Sequence, residues 1–213
     1  DILEDGYGIN LLPLATFSLI HYKDDPCSCF KIKGGNDLNP AEISLQMKMH
    51  KAISVIQFKL EGQLLMRRKE FHMANRALLD SIDYANGTIR LDGKEYKLLD
   101  SNFPTIDPDN PYELSSEEAL VVERLTSAFT NCEKLQRHVR FLFAKGSLYK
   151  VYNGNLLYHG CIPMDKDGSF AVVPVHEGEE LRGREAIDAA DVKARQGYFS
   201  TLNTSERQDG QDF

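Results

Sequence analysis

The sequence predicts an α/β chain, more narrowly α+β, in which helices and short antiparallel hairpins occupy separate stretches. Apolar residues repeat at steps of three and four over residues 49–64 and again over 121–142, the period of one helix face. Asp92-Gly93 and Asn153-Gly154 each sit between runs of strand-forming residues, and both pairs suit a two-residue type I′ turn. No apolar run approaches the roughly 20 residues needed to cross a bilayer, so no transmembrane helix is expected.

In chain order, Gly6 and Gly8 mark a turn. Leu12–Tyr22 follows as a short helix that ends at the break Lys23-Asp24-Asp25-Pro26. After a loop at Gly34-Gly35, Asn39-Pro40-Ala41-Glu42 is a helix start. Asn39 accepts from a free backbone N–H, Pro40 suits the first helical position, and Glu42 closes a capping box. Met49, Ile53, Ile56, Leu60 and Leu64 then form one face of a helix expected to reach Glu70. Lys48, Lys51, Lys59, Arg67, Arg68 and Lys69 are assigned to its solvated side.

Residues 88–99, TIRLDGKEYKLL, read as a hairpin whose turn sets Arg90 opposite Glu95 and Ile89 opposite Tyr96. Pro104, Pro108 and Pro111 lead to Ser115-Ser116-Glu117-Glu118, a second capping box. It opens one helix with the stripe Val121, Leu125, Ala128, Cys132, Leu135, Val139 and Leu142, ending near Gly146. The period then switches to two: Leu148–Tyr152 and Asn155–Tyr158 flank Asn153-Gly154 as a second hairpin. Residues 169–175 suit a further strand and Arg184–Gln196 a short helix. The tail from Asn203 to Phe213 is polar and carries no capping device.

A net charge of −7 argues against a nonspecific grip on nucleic acid. Four cysteines, Cys27, Cys29, Cys132 and Cys161, are too sparse for a disulfide framework and read as free thiols in a reducing cytoplasm. Cys27-x-Cys29 lacks the second pair that a zinc site needs, and Cys132 lies on an apolar stripe as a small buried hydrophobe. The chain starts with Asp1, and Asp1-Ile2-Leu3-Glu4-Asp5 does not read as a signal peptide; the chain is expected to be a piece of a longer protein.

The stretch NLLYHGCIPM, residues 155–164, carries the chemistry. Its apolar residues are expected to bury a strand that ends at His159. Gly160 opens space beside the imidazole and Pro163 stops further pairing. A histidine on a rigid strand end is a reasonable metal ligand, although a lone histidine in an apolar setting also suits a hydrogen-bonded core position. His21, His50, His72, His138 and His176 show no paired spacing. No serine sits in a G-x-S-x-G context, and there is no G-x-x-x-x-G-K-[ST] loop.

Three stretches, DILEDGYGINLLPLATF (1–17), KGSLYKVYNGNLLYHGCIPM (145–164) and RQGYFS (195–200), resemble the class III fructose-1,6-bisphosphatases. These are the long bacterial type related to calcineurin-like metallophosphoesterases. The resemblance covers essentially the whole chain and identifies it as an internal portion. It implies part of a β-sandwich core at 1–29 and 146–213, with a helical insertion carrying a hairpin at 30–145, a cap or an oligomer contact. It further implies hydrolysis of a phosphate monoester by two divalent ions, manganese foremost, about 4 Å apart, which bind the phosphate and activate a bridging water. The superfamily's His-Gly strand contributes one ligand, which carries over to His159 alone.

The other stations of that superfamily, D-x-H, G-D-x-x-D-R-G, G-N-H-D/E and a late histidine, do not occur here. They are expected before Asp1 and after Phe213, so this portion alone is expected to be inactive. Arg67, Arg68, Arg76, Arg137 and Arg140 are candidates for the sugar phosphate that is not cleaved, each more simply a surface charge. Two other readings stay open from the residues: a helical interaction module, and a phosphoesterase for another substrate. The expected partner is a sugar bisphosphate, with neither nucleic acid nor membrane, and a homo-oligomer is compatible.

Overall fold

Both N-capped helices form as their start signals dictate. Residues 4–33, 38–175 and 179–213 are described in a computed structural model of the chain; the Gly34-Gly35 loop and His176 lie outside them. Asn39 Oδ1 accepts the amides of Ala41 and Glu42 at 3.0 Å each, and the Glu42 carboxylate accepts the Asn39 amide at 2.8 Å. At the second start, Ser115 Oγ accepts the Glu118 amide at 3.1 Å while Glu118 Oε2 takes the Ser115 amide at 2.8 Å. Each box satisfies backbone donors that would otherwise lack partners.

The helices are α1 (Glu4–Tyr7), α2 (Leu12–His21), α3 (Pro40–Arg67), α4 (Ser116–Thr130), α5 (Glu133–Lys145), α6 (Gly183–Phe199) and α7 (Ser205–Asp212). The strands are β1 (Ile82–Asp83), β2 (Thr88–Leu91), β3 (Lys94–Lys97), β4 (Tyr149–Tyr152), β5 (Asn155–Tyr158), β6 (Val172–Val173) and β7 (Leu181–Arg182). Helices mixed with small antiparallel sheets are the α/β, more narrowly α+β, class that the sequence predicts. Two compact units result. The first holds the chain up to Arg67 with Met73–Leu135; the second holds Arg68–His72 with Gln136–Phe213.

In the first unit, α2 packs on both α3 and α4 around Leu14, Phe17, Tyr22, Ala52, Ile56 and Val121. The face that α3 buries differs from the one its apolar spacing predicts. Lys48, Lys51, Ala52, Val55, Ile56, Lys59 and Gly62 are inside, whereas Leu60 is exposed. Lys48, Lys51 and Lys59, expected on the solvated side, are therefore corrected to the core; Arg67 and Lys69 are exposed. Each buried ammonium meets an acceptor. Lys51 Nζ lies 2.6 Å from Asp25 and 2.7 Å from Asp100; Lys59 Nζ lies 2.6 Å from Glu118 and from the Thr105 carbonyl; Lys48 donates to the Lys23 carbonyl. The methylene stems behave as apolar surface, so three lysines extend a hydrophobic stripe instead of ending it.

The first hairpin has the expected register, Arg90↔Glu95 and Ile89↔Tyr96, with Asp92 and Gly93 both at positive φ as a type I′ turn requires. The two-residue β1, too short for a periodic signal, adds an outer strand. The stripe over 121–142 is not one helix. It breaks between Thr130 and Glu133, where the Thr130 hydroxyl and the Asn131 side chain turn back onto the Thr126 and Ser127 carbonyls. Such short polar side chains compete with the backbone for its acceptors. Cys132 is half-buried, its thiol 3.2 Å from the Tyr7 carbonyl, and α5 has no fully buried residue.

In the second unit the hairpin β4–β5 forms around Asn153-Gly154, again with both residues at positive φ. Of the strand expected at 169–175 only Val172–Val173 and a bridge from Phe170 to Met164 form. The helix expected over 184–196 runs three residues further, to Phe199. The tail is corrected from an uncapped polar end to the helix α7. Thr204 accepts the Arg207 amide at 3.2 Å, and the Arg207 guanidinium donates to the Tyr198 and Ser200 carbonyls. α7 packs on α6 through Gly197 against Gly210 and through Lys193, Asp209 and Arg68. Its stability comes from ions and backbone contact, which leave no apolar period to read.

Two of these ion-paired carboxyls set an acid limit. Burial alone would raise Asp25 and Asp209, but the Lys51 ammonium and Cys27 amide hold Asp25 below the ordinary carboxylate range, and Lys193 with Arg68 does the same for Asp209. A carboxyl that binds its proton less tightly when folded stabilises the fold above its unfolded pKa of about 4, and that stability is lost as the pH falls through the folded value. Urea midpoints are expected to stay level above about pH 5 and to drop below about pH 4; a midpoint that rises on acidification would contradict the assignment.

Candidate functional site

His159 follows β5 directly, at the end of the ribbon away from its turn. The pairing Lys150↔Leu157 puts Lys150 and Leu157 on one face of the ribbon, and His159, two residues on, continues that face. Val151 and Leu156 belong to the other face, which lines an apolar hollow of about 250 Å³ with Ile162, Phe170 and Ile187. Contrary to the burial that the sequence predicts, the ribbon is exposed. Leu156, Leu157 and Tyr158 are all exposed, Leu157 at 54 %. The physical reason is that the sheet has two strands only; among the described residues no third strand pairs with either edge.

The imidazole of His159 is exposed as well, and it lines an open hollow of about 560 Å³. Gly160 has φ +87°, a conformation costly for other residues, and a Cβ built there meets nothing within 4 Å. The open space expected beside His159 is therefore present. Lys145, Ser147 and Lys150 line the same hollow, with Leu157, Tyr158 and Cys161. From α6, Arg195 donates to the Phe143 carbonyl at 2.7 Å and the Gly146 carbonyl at 3.2 Å, and pairs with Asp191 at 2.6 Å. These donors satisfy carbonyls at the C-terminal end of α5 that helix geometry leaves without partners.

A divalent ion finds one nitrogen ligand here. Among the described residues no group of three or more histidine, cysteine, aspartate or glutamate side chains converges anywhere in the chain. His21 lies tilted against Phe17 with centroids 4.4 Å apart, and His50 meets the Phe30 ring edge to face at 5.5 Å. An exposed imidazole beside open space fits a metal as a single ligand of a larger set, and by itself holds no ion of coordination number four or more.

The arginine candidates do not converge at the hollow. The Arg68 guanidinium is bound by Asp209 and by Glu70, and Arg67, Arg76, Arg137 and Arg140 are exposed without lining it. Lys145 and Lys150 do line it, although no motif in the sequence singles them out. The Asn153-Gly154 turn fixes the pairing Lys150↔Leu157, so alternation alone would have placed Lys150 on the histidine's face.

A second polar centre, Asp25–Lys51–Asp100, lies inside the first unit. Asn102 donates to Asp25 at 2.9 Å, and Cys27 is fully buried beside it. Burial first, and then the Asp25 charge, pushes the Cys27 thiol up to about 11, which leaves it protonated and inert at neutral pH. Burial likewise pushes Tyr22 up to about 12. This centre joins segments of the core.

Comparison with known proteins gives matches over the whole chain. A family model for Firmicute fructose-1,6-bisphosphatase matches residues 1–213. The class 3 fructose-1,6-bisphosphatase of Listeria monocytogenes serovar 1/2a is 53 % identical over 209 residues, 97 % of this chain and 32 % of the relative. The protein of the same name from Alkaliphilus metalliredigens is 54 % identical over 213 residues, 99 % of this chain and 32 % of the relative. That of Clostridium botulinum Alaska E43 is 50 % identical over 214 residues, covering the whole chain and 32 % of the relative. The chain thus spans about a third of the length of the curated relatives it matches. No solved structure matches it.

Proposed function

Since the chain belongs to the Firmicute fructose-1,6-bisphosphatase family, we propose that it is the portion of such an enzyme that supplies one metal ligand, His159, to the hydrolysis of the 1-phosphate of fructose 1,6-bisphosphate. The observation that carries this reading is the exposed imidazole at a strand end, with open space beyond Gly160. When bound, a pair of divalent ions, manganese foremost, supplies charge neutralisation and an activated water.

The chain's own residues position. The type I′ turn fixes the register of β4 and β5, and the register fixes which face His159 takes. The other ligands come from the two thirds of the family enzyme's length outside this chain. Residues 1–29 and 146–213 belong to its β-sandwich core in this reading, and 30–145 form a helical cap. The four cysteines are free thiols, in keeping with a place in the reducing cytoplasm.

The test is a transplant, in which this chain replaces the matched 209 residues of the Listeria monocytogenes enzyme. The hybrid is expected to release phosphate from fructose 1,6-bisphosphate with manganese, and the isolated chain to release none above a metal-only blank. In the hybrid, His159→Ala is expected to raise the manganese concentration for half-activity at least about 10-fold, since even groups that only orient ligands are worth 10–100-fold. Manganese binding followed by calorimetry should weaken in parallel. Unchanged metal affinity in the variant would remove His159 from the ligand set.

A further inference from the structure

We infer that the hollow beside His159 is an anion subsite in which Lys145 and Lys150 hold the phosphate group of the substrate that is not cleaved; this rests on the proposed placing of the reacting centre at His159. The chain has 32 acidic residues against 25 lysines and arginines, yet the hollow is lined by two lysines, a histidine and a serine, without a carboxylate. Lys51, Lys59 and Lys193, in contrast, each bind a carboxylate. Lys145 and Lys150 have no ion-pair or hydrogen-bond partner among the described residues.

The surroundings agree. Asp188 and Asp191 line the neighbouring hollow along β4, and both are engaged, by Arg184 at 3.3 Å and by Arg195 at 2.6 Å. The C-terminal end of α5 would repel an anion through its carbonyls, but Arg195 covers those of Phe143 and Gly146. The volume of about 560 Å³ lies within the range of small-molecule sites, roughly 300–1,000 Å³. Divalent ions neutralise the phosphoryl group that reacts, so the second phosphate of a sugar bisphosphate needs its own cations. Lysine supplies them as point charges on flexible stems.

Two experiments test this. In the first, inorganic phosphate is titrated into the metal-free chain and backbone amide resonances are followed. Shifts are expected at residues 145–151 and at His159, lost in Lys145→Gln/Lys150→Gln and retained in Lys145→Arg/Lys150→Arg. Saturating phosphate that leaves these amides unmoved overturns the subsite, whatever the hybrid enzyme does. In the second, each single glutamine variant of the hybrid is expected to raise KM for fructose 1,6-bisphosphate about 10-fold, the cost of one charge-assisted contact, with kcat changed much less. KM for a sugar 1-phosphate, which lacks the second group, should stay level; an equal rise for both substrates overturns the assignment to the uncleaved phosphate. Lys94→Gln, in the other unit, serves as the neutral control. Should His159→Ala leave metal affinity intact while the phosphate shifts persist, the ligand reading fails and the anion subsite stands.

Discussion

Replacing Lys51 by alanine is expected to cost the first unit about 3–5 kcal/mol, the range for breaking a buried ion pair from one side. The ammonium is 1 % exposed and bonds both Asp25 at 2.6 Å and Asp100 at 2.7 Å. Removing it leaves two carboxylates facing each other, Asp25 with almost no water to share the charge. The cavity left by the side chain adds to the loss. Lys51→Met, which keeps the stem and loses only the charge, is expected to recover the packing part alone. Urea unfolding of both variants at pH 7 measures the difference, and acid should narrow it as Asp25 becomes protonated. Alanine tolerated within about 0.5 kcal/mol, as at an ordinary surface site, would show that the triad does not hold the core.

Gly197→Ala is expected to destabilise the second unit by about 3 kcal/mol or more, although glycine to alanine inside a helix usually gains about 1 kcal/mol. The sign reverses because a Cβ on Gly197 would sit 2.7 Å from the Gly210 carbonyl carbon and oxygen and 2.9 Å from the Gln211 nitrogen. All three are backbone atoms, so relief requires α7 to move off α6. That movement pulls Asp209 away from Lys193, which is 2 % exposed, and from Arg68. Overpacking of about 1–3 kcal/mol and a cation left alone then add. Amide exchange in α7 should accelerate before the rest of the unit opens, and a rise in stability would show that the two helices are not in backbone contact.

What was legible in the sequence was local. Both capping boxes, the span of α2, and the registers of both hairpins follow from residues within four positions of one another, where geometry leaves few choices. The buried face of α3 was not legible, because Lys51 and Lys59 are made tolerable by Asp25, Asp100 and Glu118, which are 26, 49 and 59 residues away. The break at Asn131 and the helix α7 went unread for a related reason: hydrogen bonds and ion pairs carry them, and no apolar period does. At the candidate site, His159 and its glycine were readable as a strand end. The exposure of the ribbon and the meeting of Lys145 with Lys150 depend on how α5 and α6 border it.

The amines of Lys51, Lys59 and Lys193, each enclosed against a carboxylate, set these three apart from the lysines that stand in water. An acyl group on any of the three would cancel its charge and strand the facing carboxylate, so covalent modification there and the native state exclude each other. Lysines standing in water, such as Lys94 and Lys97 on the outer hairpin, can be acylated without that consequence. The fold itself therefore decides which amines are open to post-translational marking.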